Sequence, residues 1–130
     1  MSIWNGAAIE GEGTRGPALF LRLEALLVGA LSLTLFRALG GEWATHFLWF
    51  LVPDLAIVGY VFGPRVGAWA YNVSHTYGLP AAIALWSVVA GATGWGLVAL
   101  LWFSHIAFDR LLGFGLKYPT RFTDTHLGRI

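Results

Sequence analysis

The fold is decided by the stretch His105-Ile-Ala-Phe-Asp109-Arg110-Leu-Leu-Gly113-Phe-Gly115-Leu-Lys117-Tyr118. It closes a long apolar run that begins near Gly94, so it places a histidine, a carboxylate and a guanidinium in a segment that should lie in lipid. Charged side chains are costly at the bilayer centre and are rarely kept there without a function. On one helix, His105 and Asp109 are four residues apart and share a face. We therefore expect this face to complete a polar site inside a small membrane bundle.

The composition indicates an integral membrane protein. Of the 130 residues, 57% are hydrophobic and 12% are charged, whereas a soluble domain has roughly 25% charged residues. The net charge of +1 gives no electrostatic reason to expect a nucleic-acid partner. The chain contains no cysteine, which excludes disulfides, thiolate metal sites and covalent c-type haem attachment.

Four segments are apolar over the roughly 20 residues that a membrane-spanning helix needs. They are residues 18–39, 43–62, 65–90 and 93–114. The short connections between them predict an all-α membrane protein, an antiparallel four-helix transmembrane bundle with up-down-up-down topology. Gly78 and Pro80 should bend the third helix, because proline cannot donate a helical hydrogen bond.

The domain organisation follows from these segments. Residues 1–17 should form a loose N-terminal tail, since they lack the basic region and apolar core of a signal peptide. Residues 18–114 should form the transmembrane domain, and residues 115–130 a C-terminal tail that could fold back over the site.

The basic residues predict the orientation. Four spans put both termini on one side, and that side receives most of the cations, whereas the other side has only Arg37 in its loops. Positive residues favour the cytoplasm, so both termini should be cytoplasmic. The residues on the terminal side are Arg15, Arg65, Arg110, Lys117, Arg121 and Arg129.

The polar residues within the predicted spans gather in the cytoplasmic half of the bilayer. With a rise of about 1.5 Å per residue, Asp54, His75 and His105 lie roughly 14 Å from the cytoplasmic ends of their helices. Asn72, Asp109 and Glu24 lie nearer the surface, at roughly 7–9 Å. Such side chains must point into the bundle, where they can satisfy one another.

Imidazole and carboxylate groups suggest a metal site, because both are usual ligands of zinc, iron and manganese. His75 and His105 with Asp54, Asp109 or both would give three or four ligands for a divalent metal. A carboxylate beside the metal could orient a histidine or act as a general base. Asp54 and Asp109 are therefore the candidate catalytic residues.

Further residues could bind a ligand at this site. Arg110 and Lys117 could hold a phosphate or carboxylate group, and Asn72 is a third candidate for cofactor or ligand binding. Asp124 and His126 in the C-terminal tail could supply another ligand or a cover, or could only cap a local turn.

Four functions are compatible with this pattern. The first is a metal-dependent hydrolase that acts on a lipid or another amphiphile from the cytoplasmic leaflet. The second is a haem protein with His75 and His105 as axial ligands. The third is a non-enzymatic accessory subunit of a larger membrane complex, or a homo-oligomer, in which the polar residues only join helices. The fourth, an ion pathway, lacks a polar relay in the outer half. Membrane lipids and a membrane protein are the expected partners.

An ordered series of motifs supports a family assignment. The motifs are Arg22-Leu-Glu24, Pro53-Asp54-Leu, Gly59-Tyr60, Gly63-Pro64-Arg65-Val-Gly67, Tyr71-Asn72, His75-Thr76-Tyr77, Pro80, His105-Ile-Ala-Phe-Asp109-Arg110, Gly113-Phe-Gly115-Leu-Lys117-Tyr118 and Phe122-Thr-Asp124-Thr-His126-Leu-Gly128. The chain resembles, from about Leu21 to its C-terminus, a family of small bacterial four-span membrane proteins known only as a domain of unknown function. The resemblance implies a complete family member located in a bacterial inner membrane, and it implies no activity.

Overall fold

The fold, described for residues 15–129 in a computed structural model, is helical. No strand forms within this range, apart from an isolated antiparallel bridge between Lys117 and Thr125. Most of the predicted N-terminal tail lies outside the described residues. The helices are α1 (Arg15–Ala38), α2 (Trp43–Phe50), a 3-10 segment (Val52–Phe62), α3 (Pro64–His75), α4 (Gly78–Ala90), α5 (Thr93–Leu112) and a short 3-10 turn (Leu127–Arg129).

Three helical stretches are long and apolar enough to cross a membrane: Gly16–Ala38, Trp43–Phe62 and Thr93–Leu112. A fourth span results if α3 and α4 are counted as one bent helix. Many large apolar side chains on these helices are exposed, as expected for surfaces that face lipid. The prediction of several membrane-length helices is therefore confirmed, with the third span broken in two.

The break in the third span occurs where the sequence predicts it. Helices α3 and α4 are bent by 43°, and Thr76 between them is extended, with φ −97° and ψ 148°. The break frees carbonyl groups at the end of α3, and α5 satisfies two of them. Trp102 Nε1 donates to the carbonyl of Ser74 at 2.6 Å, and Arg110 Nη2 donates to the carbonyl of His75 at 3.2 Å. These two hydrogen bonds hold the end of α3 against α5.

The second span is also interrupted. Helix α2 ends at Phe50, and the 3-10 segment begins at Val52 with Pro53 in its first turn. Because 3-10 runs longer than three or four residues are uncommon, a segment of 11 residues marks a local departure from regular helix. This segment places Asp54 in its first turn and packs against α3.

Helix α5 lies at the centre of the packing. Helix α1 packs along it most extensively, and α2, α4 and the 3-10 segment also contact it. The fully buried core includes Leu101 and Ile106 of α5 and Phe36 of α1. The central position of α5 brings its polar face, with His105 and Asp109, towards the two interrupted spans.

Candidate metal centre

Four side chains from three elements converge on one point. Asp54 comes from the 3-10 segment, His75 is the last residue of α3, and His105 and Asp109 lie one turn apart on α5. Each offers one ligand atom, and the four atoms all lie within 4.8 Å of one another. The structure thus brings together the four residues that the sequence suggests as metal ligands.

Five of the six distances among the four atoms are nearly equal, and the sixth, between the two carboxylate oxygens, is at most 4.8 Å. His75 Nε2 lies 3.3 Å from both Asp54 Oδ1 and Asp109 Oδ2. His105 Nε2 lies 3.2 Å from Asp54 Oδ1 and 3.4 Å from Asp109 Oδ2, and the two Nε2 atoms are 3.2 Å apart. These five separations are close to five of the six edges of a regular tetrahedron. Its corners would lie about 2.0 Å from its centre, which matches the Zn–N and Zn–O distances of tetrahedral zinc sites.

The hydrogen bonds of His75 assign its tautomer. Its Nδ1 lies 3.0 Å from the carbonyl of Tyr71 and 2.7 Å from Ser74 Oγ, which itself donates to the same carbonyl. Both groups can accept, so the ring proton belongs on Nδ1. The lone pair is then on Nε2, which faces the two carboxylates. The Tyr71 ring stacks on His75 with 3.7 Å between ring centroids, which fixes the plane of the imidazole.

His105 is held by packing more than by hydrogen bonds. The ring of Phe50 meets it edge to face, with 4.9 Å between the centroids. Its Nδ1 is buried and makes no hydrogen bond of normal geometry, although the carbonyl of Phe50 lies close enough to interact with the ring. The polar contacts of His105 are therefore concentrated on Nε2, the atom that faces the other three ligands.

Asn72 lies outside this cluster and binds the C-terminal segment. Its Nδ2 donates to the carbonyl of Lys117 at 2.8 Å, and the Lys117 N–H donates to Asn72 Oδ1 at 2.7 Å. Through these two hydrogen bonds, the Asn72 side chain attaches the backbone of the C-terminal segment, residues 115–129, to α3.

Lys117 and Arg110 both donate to protein groups. Lys117 is buried, and its Nζ donates to the carbonyl of Phe122 at 2.5 Å while lying over the rings of Tyr71 and Phe122. Burial lowers the pKa of Lys117, and the charge of Asp109 partly offsets this effect. Arg110 is held by the carbonyl of His75 and lies beside His126, with 3.1 Å between Nη1 and Nε2.

The C-terminal segment turns back on itself beside α5. The Leu116 N–H donates to His126 Nδ1 at 2.7 Å, and the His126 N–H donates to the Leu116 carbonyl at 2.9 Å. Thr120 Oγ donates to Asp124. Neither Asp124 nor His126 belongs to the group of converging ligand atoms.

Sequence reasoning missed two groups that position the ligands. Ser74 and the ring of Phe50 contact His75 and His105 directly. Ser74 could have been found, because it adjoins His75 and its hydroxyl group can hydrogen-bond to an imidazole nitrogen. Phe50 comes from another span, and no spacing in the sequence relates it to His105.

Comparison with known proteins gives one assignment. The profile of the family described as "Domain of unknown function (DUF4260)" matches residues 18–130. No curated protein and no solved structure matches the chain significantly.

Proposed function

This chain belongs to the DUF4260 family, and we propose that it is an integral membrane protein that binds a divalent metal ion, preferentially Zn²⁺. The ligands are Asp54, His75, His105 and Asp109. The observation that carries the proposal is the set of five separations of 3.2–3.4 Å among their ligand atoms. Mixed imidazole and carboxylate ligands at this spacing suit zinc better than Mg²⁺ or Ca²⁺, which prefer oxygen ligands.

The charge balance of the cluster also supports a cation. The two carboxylates bring two negative charges to within 3.3 Å of His75 Nε2, and a cation bound between them would be attracted by both charges. Lys117 and Arg110 already donate to carbonyl groups of the protein. A divalent ion would neutralise both carboxylates and occupy the lone pairs of both rings.

A metal centre in this position suits hydrolysis of a lipid or another amphiphile. A bound ion would supply an activated water, and whichever of Asp54 and Asp109 is not bound to the ion would accept the proton as general base. The four spans would run antiparallel in a bacterial inner membrane with both termini cytoplasmic, as the distribution of cations favours. Membrane lipids would surround the exposed apolar faces, and they would supply the substrate.

The alternative functions receive less support. A haem with two axial histidines would need its macrocycle between the two rings, whereas their Nε2 atoms are 3.2 Å apart and both adjoin carboxylate oxygens. No observation in residues 15–129 specifically supports a purely accessory or oligomeric role.

Metal analysis tests the proposal directly. We expect the wild-type protein, purified in mild detergent without chelators, to carry about one zinc ion per chain. Since the loss of a group that merely orients a ligand costs about 10–100-fold in affinity, His75→Ala and His105→Ala should each cost more than that. His46→Ala is the matched control, because His46 is also in a membrane-length helix but lies outside the cluster. Equal metal content in all four proteins would exclude the metal centre.

A further inference from the structure

The proposed centre has one ligand too many for catalysis. Four protein ligands complete a tetrahedral zinc site, whereas catalytic zinc keeps a position for water or substrate. If the proposed function is correct, water or substrate gains a position at the metal most readily when one of the four ligands leaves it during turnover. The four residues differ enough in burial, attachment and surroundings to show which one.

Burial separates the ligands. The side chains of His75 and His105 are each 3% exposed, and Asp109 is 18% exposed, but Asp54 is 42% exposed. The imidazoles cannot turn away without displacing packed neighbours, because Tyr71 stacks on one ring and Phe50 packs against the other. Of the four, Asp54 has the most free space into which to move.

Attachment to the fold separates the two carboxylates. Asp109 is on the regular helix α5, one turn after His105, so the two ligands move together. Asp54 is on the 3-10 segment, directly after the break in the second span. Within the described part of the chain, its carboxylate contacts only the two Nε2 atoms, both through Oδ1. No other hydrogen bond would hold it at the metal.

The surface around Asp54 shows where the vacated position opens. Leu51, one 3-10 turn earlier, is 60% exposed, and the adjacent Leu55 is 67% exposed. Both belong to the membrane-length stretch Trp43–Phe62. A carboxylate exposed beside such side chains is costly in lipid unless a cation binds it. A group arriving from this side would come from the lipid phase.

We infer that Asp54 is the exchangeable ligand of the metal centre, and that the position it leaves opens sideways, beside Leu51 and Leu55, to an oxygen atom of a membrane-dissolved amphiphile. His75, His105 and Asp109 then form the permanent ligand set, two imidazoles and one carboxylate, which is the ligand type of several catalytic zinc sites. The substrate would bind through a carbonyl or similar oxygen while its alkyl chain stays among the lipids.

The first experiment compares the two carboxylates. We expect Asp54→Ala and Asp54→Asn to keep zinc with an affinity within about tenfold of wild type, because water replaces the lost oxygen. In Asp109→Ala and Asp109→Asn the zinc affinity should fall by at least about 100-fold, which is more than the loss of an orienting group costs. The isosteric Asn variants keep the comparison valid if an Ala variant fails to fold. Equal losses of zinc affinity at both positions would overturn the inference, but they would not contradict the proposed metal centre.

The second experiment tests access from the lipid side. The protein is loaded with Co²⁺, whose visible spectrum reports its ligands, and titrated with octanohydroxamic acid or acetohydroxamic acid. We expect the alkyl probe to change the spectrum at a concentration at least tenfold lower than the short probe. Leu55→Trp should weaken this response, whereas Leu85→Trp, at an exposed leucine on α4, should not.

The outcomes separate the two proposals. Wild-type protein that takes up neither Zn²⁺ nor Co²⁺ contradicts the proposed function itself. A cobalt-loaded protein whose spectrum ignores both hydroxamates, or responds to both equally, retains its metal centre but has no lipid-facing exchangeable position. Equal responses of Leu55→Trp and Leu85→Trp would likewise reject the sideways opening.

Discussion

Each histidine in this chain has a different environment, and His75 illustrates how local structure prepares a ligand. The carbonyl of Tyr71, four residues earlier, and the neighbouring Ser74 both lie within hydrogen-bond distance of Nδ1. Both are fixed by the same turn of α3, so the ring is oriented before any ion arrives. Pre-orientation of this kind raises metal affinity because less conformational freedom is lost on binding.

His126 holds the C-terminal segment together, and it must stay neutral to accept the hydrogen bond from the Leu116 N–H. Burial lowers the pKa of His126, and the charge of Arg110 lowers it further. Glu24 and Tyr77 line the same pocket of about 310 Å³ and are the other ionisable groups that face it. Protonation would replace the acceptor at Nδ1, which holds the Leu116 N–H, by a second donor.

This environment predicts that the C-terminal segment loosens in acid. In the unfolded segment His126 takes up a proton near pH 6.5, whereas in the folded segment it does so only at lower pH. Its contribution to the stability of the folded segment is therefore complete above about pH 6.5 and decreases below it. We expect hydrogen-exchange protection factors in residues 115–126 to decrease from pH 7.5 to 5.5. His126→Gln should abolish that dependence, and His46→Gln should preserve it. An unchanged profile in the wild type would contradict the prediction.

At the scale of elements, the site depends on two broken spans. Asp54 follows the break at Leu51, and His75 ends α3 at the second break. Irregular backbone at membrane depth is tolerated only where the protein satisfies its polar groups. Trp102 and Arg110 do this for α3. The break after α3 therefore exposes His75 at the end of a helix, while α5 supplies donors to the carbonyl groups of Ser74 and His75.

The 3-10 segment must approach α3 closely to bring Asp54 to His75. Glycines make this possible: a Cβ at Gly67 would overlap the ring of Tyr60, and one at Gly59 would lie 3.1 Å from Ala70 Cβ. The absence of side chains at these positions sets the distance between the two elements, and so the distance between their ligands.

Replacing one of these glycines should disturb both stability and metal binding. We expect Gly67→Ala to lower the free energy of unfolding by about 1–3 kcal/mol through overpacking. It should also weaken zinc binding, because the 3-10 segment and Asp54 are displaced together. Gly94→Ala is the matched control, since a Cβ there meets nothing within 4 Å; it should be neutral or stabilising by up to about 1 kcal/mol. Thermal unfolding in detergent and zinc competition assays measure the two effects. Equal behaviour of the two variants would show that this close approach is unimportant.

For the whole molecule, the proposed topology can be tested cleanly because the chain contains no cysteine. Thr93 and Thr123 are both exposed, Thr93 at the start of α5 and Thr123 in the C-terminal segment. With both termini cytoplasmic, a membrane-impermeant maleimide added to intact spheroplasts should label Thr93→Cys. It should label Thr123→Cys only after permeabilisation. The reverse pattern would invert the orientation, and labelling of both from outside would reject an antiparallel bundle of four spans.

Composition and hydrophobic length were sufficient to predict a helical chain with several membrane-length segments, because burial of backbone polar groups in lipid leaves few alternatives. The order of its motifs was sufficient to assign the chain to its family. The bend after His75 also followed from Pro80, whose missing N–H acts locally. All of these are properties of single segments or of short spacings.

Only the tertiary structure decided how the polar residues divide between tasks. Depth along its helix placed Asn72 near the four ligands, and Arg110 and Lys117 were expected to bind a ligand at the same site. The donors and acceptors of all three go instead to the carbonyl of His75 and to the C-terminal segment. The rotation and spacing of neighbouring helices depend on side-chain packing between distant residues, such as Tyr60 over Gly67 and Phe50 against His105. Because distances of 3.2–3.4 Å among four ligand atoms arise from that packing, no pattern along the chain could have determined them.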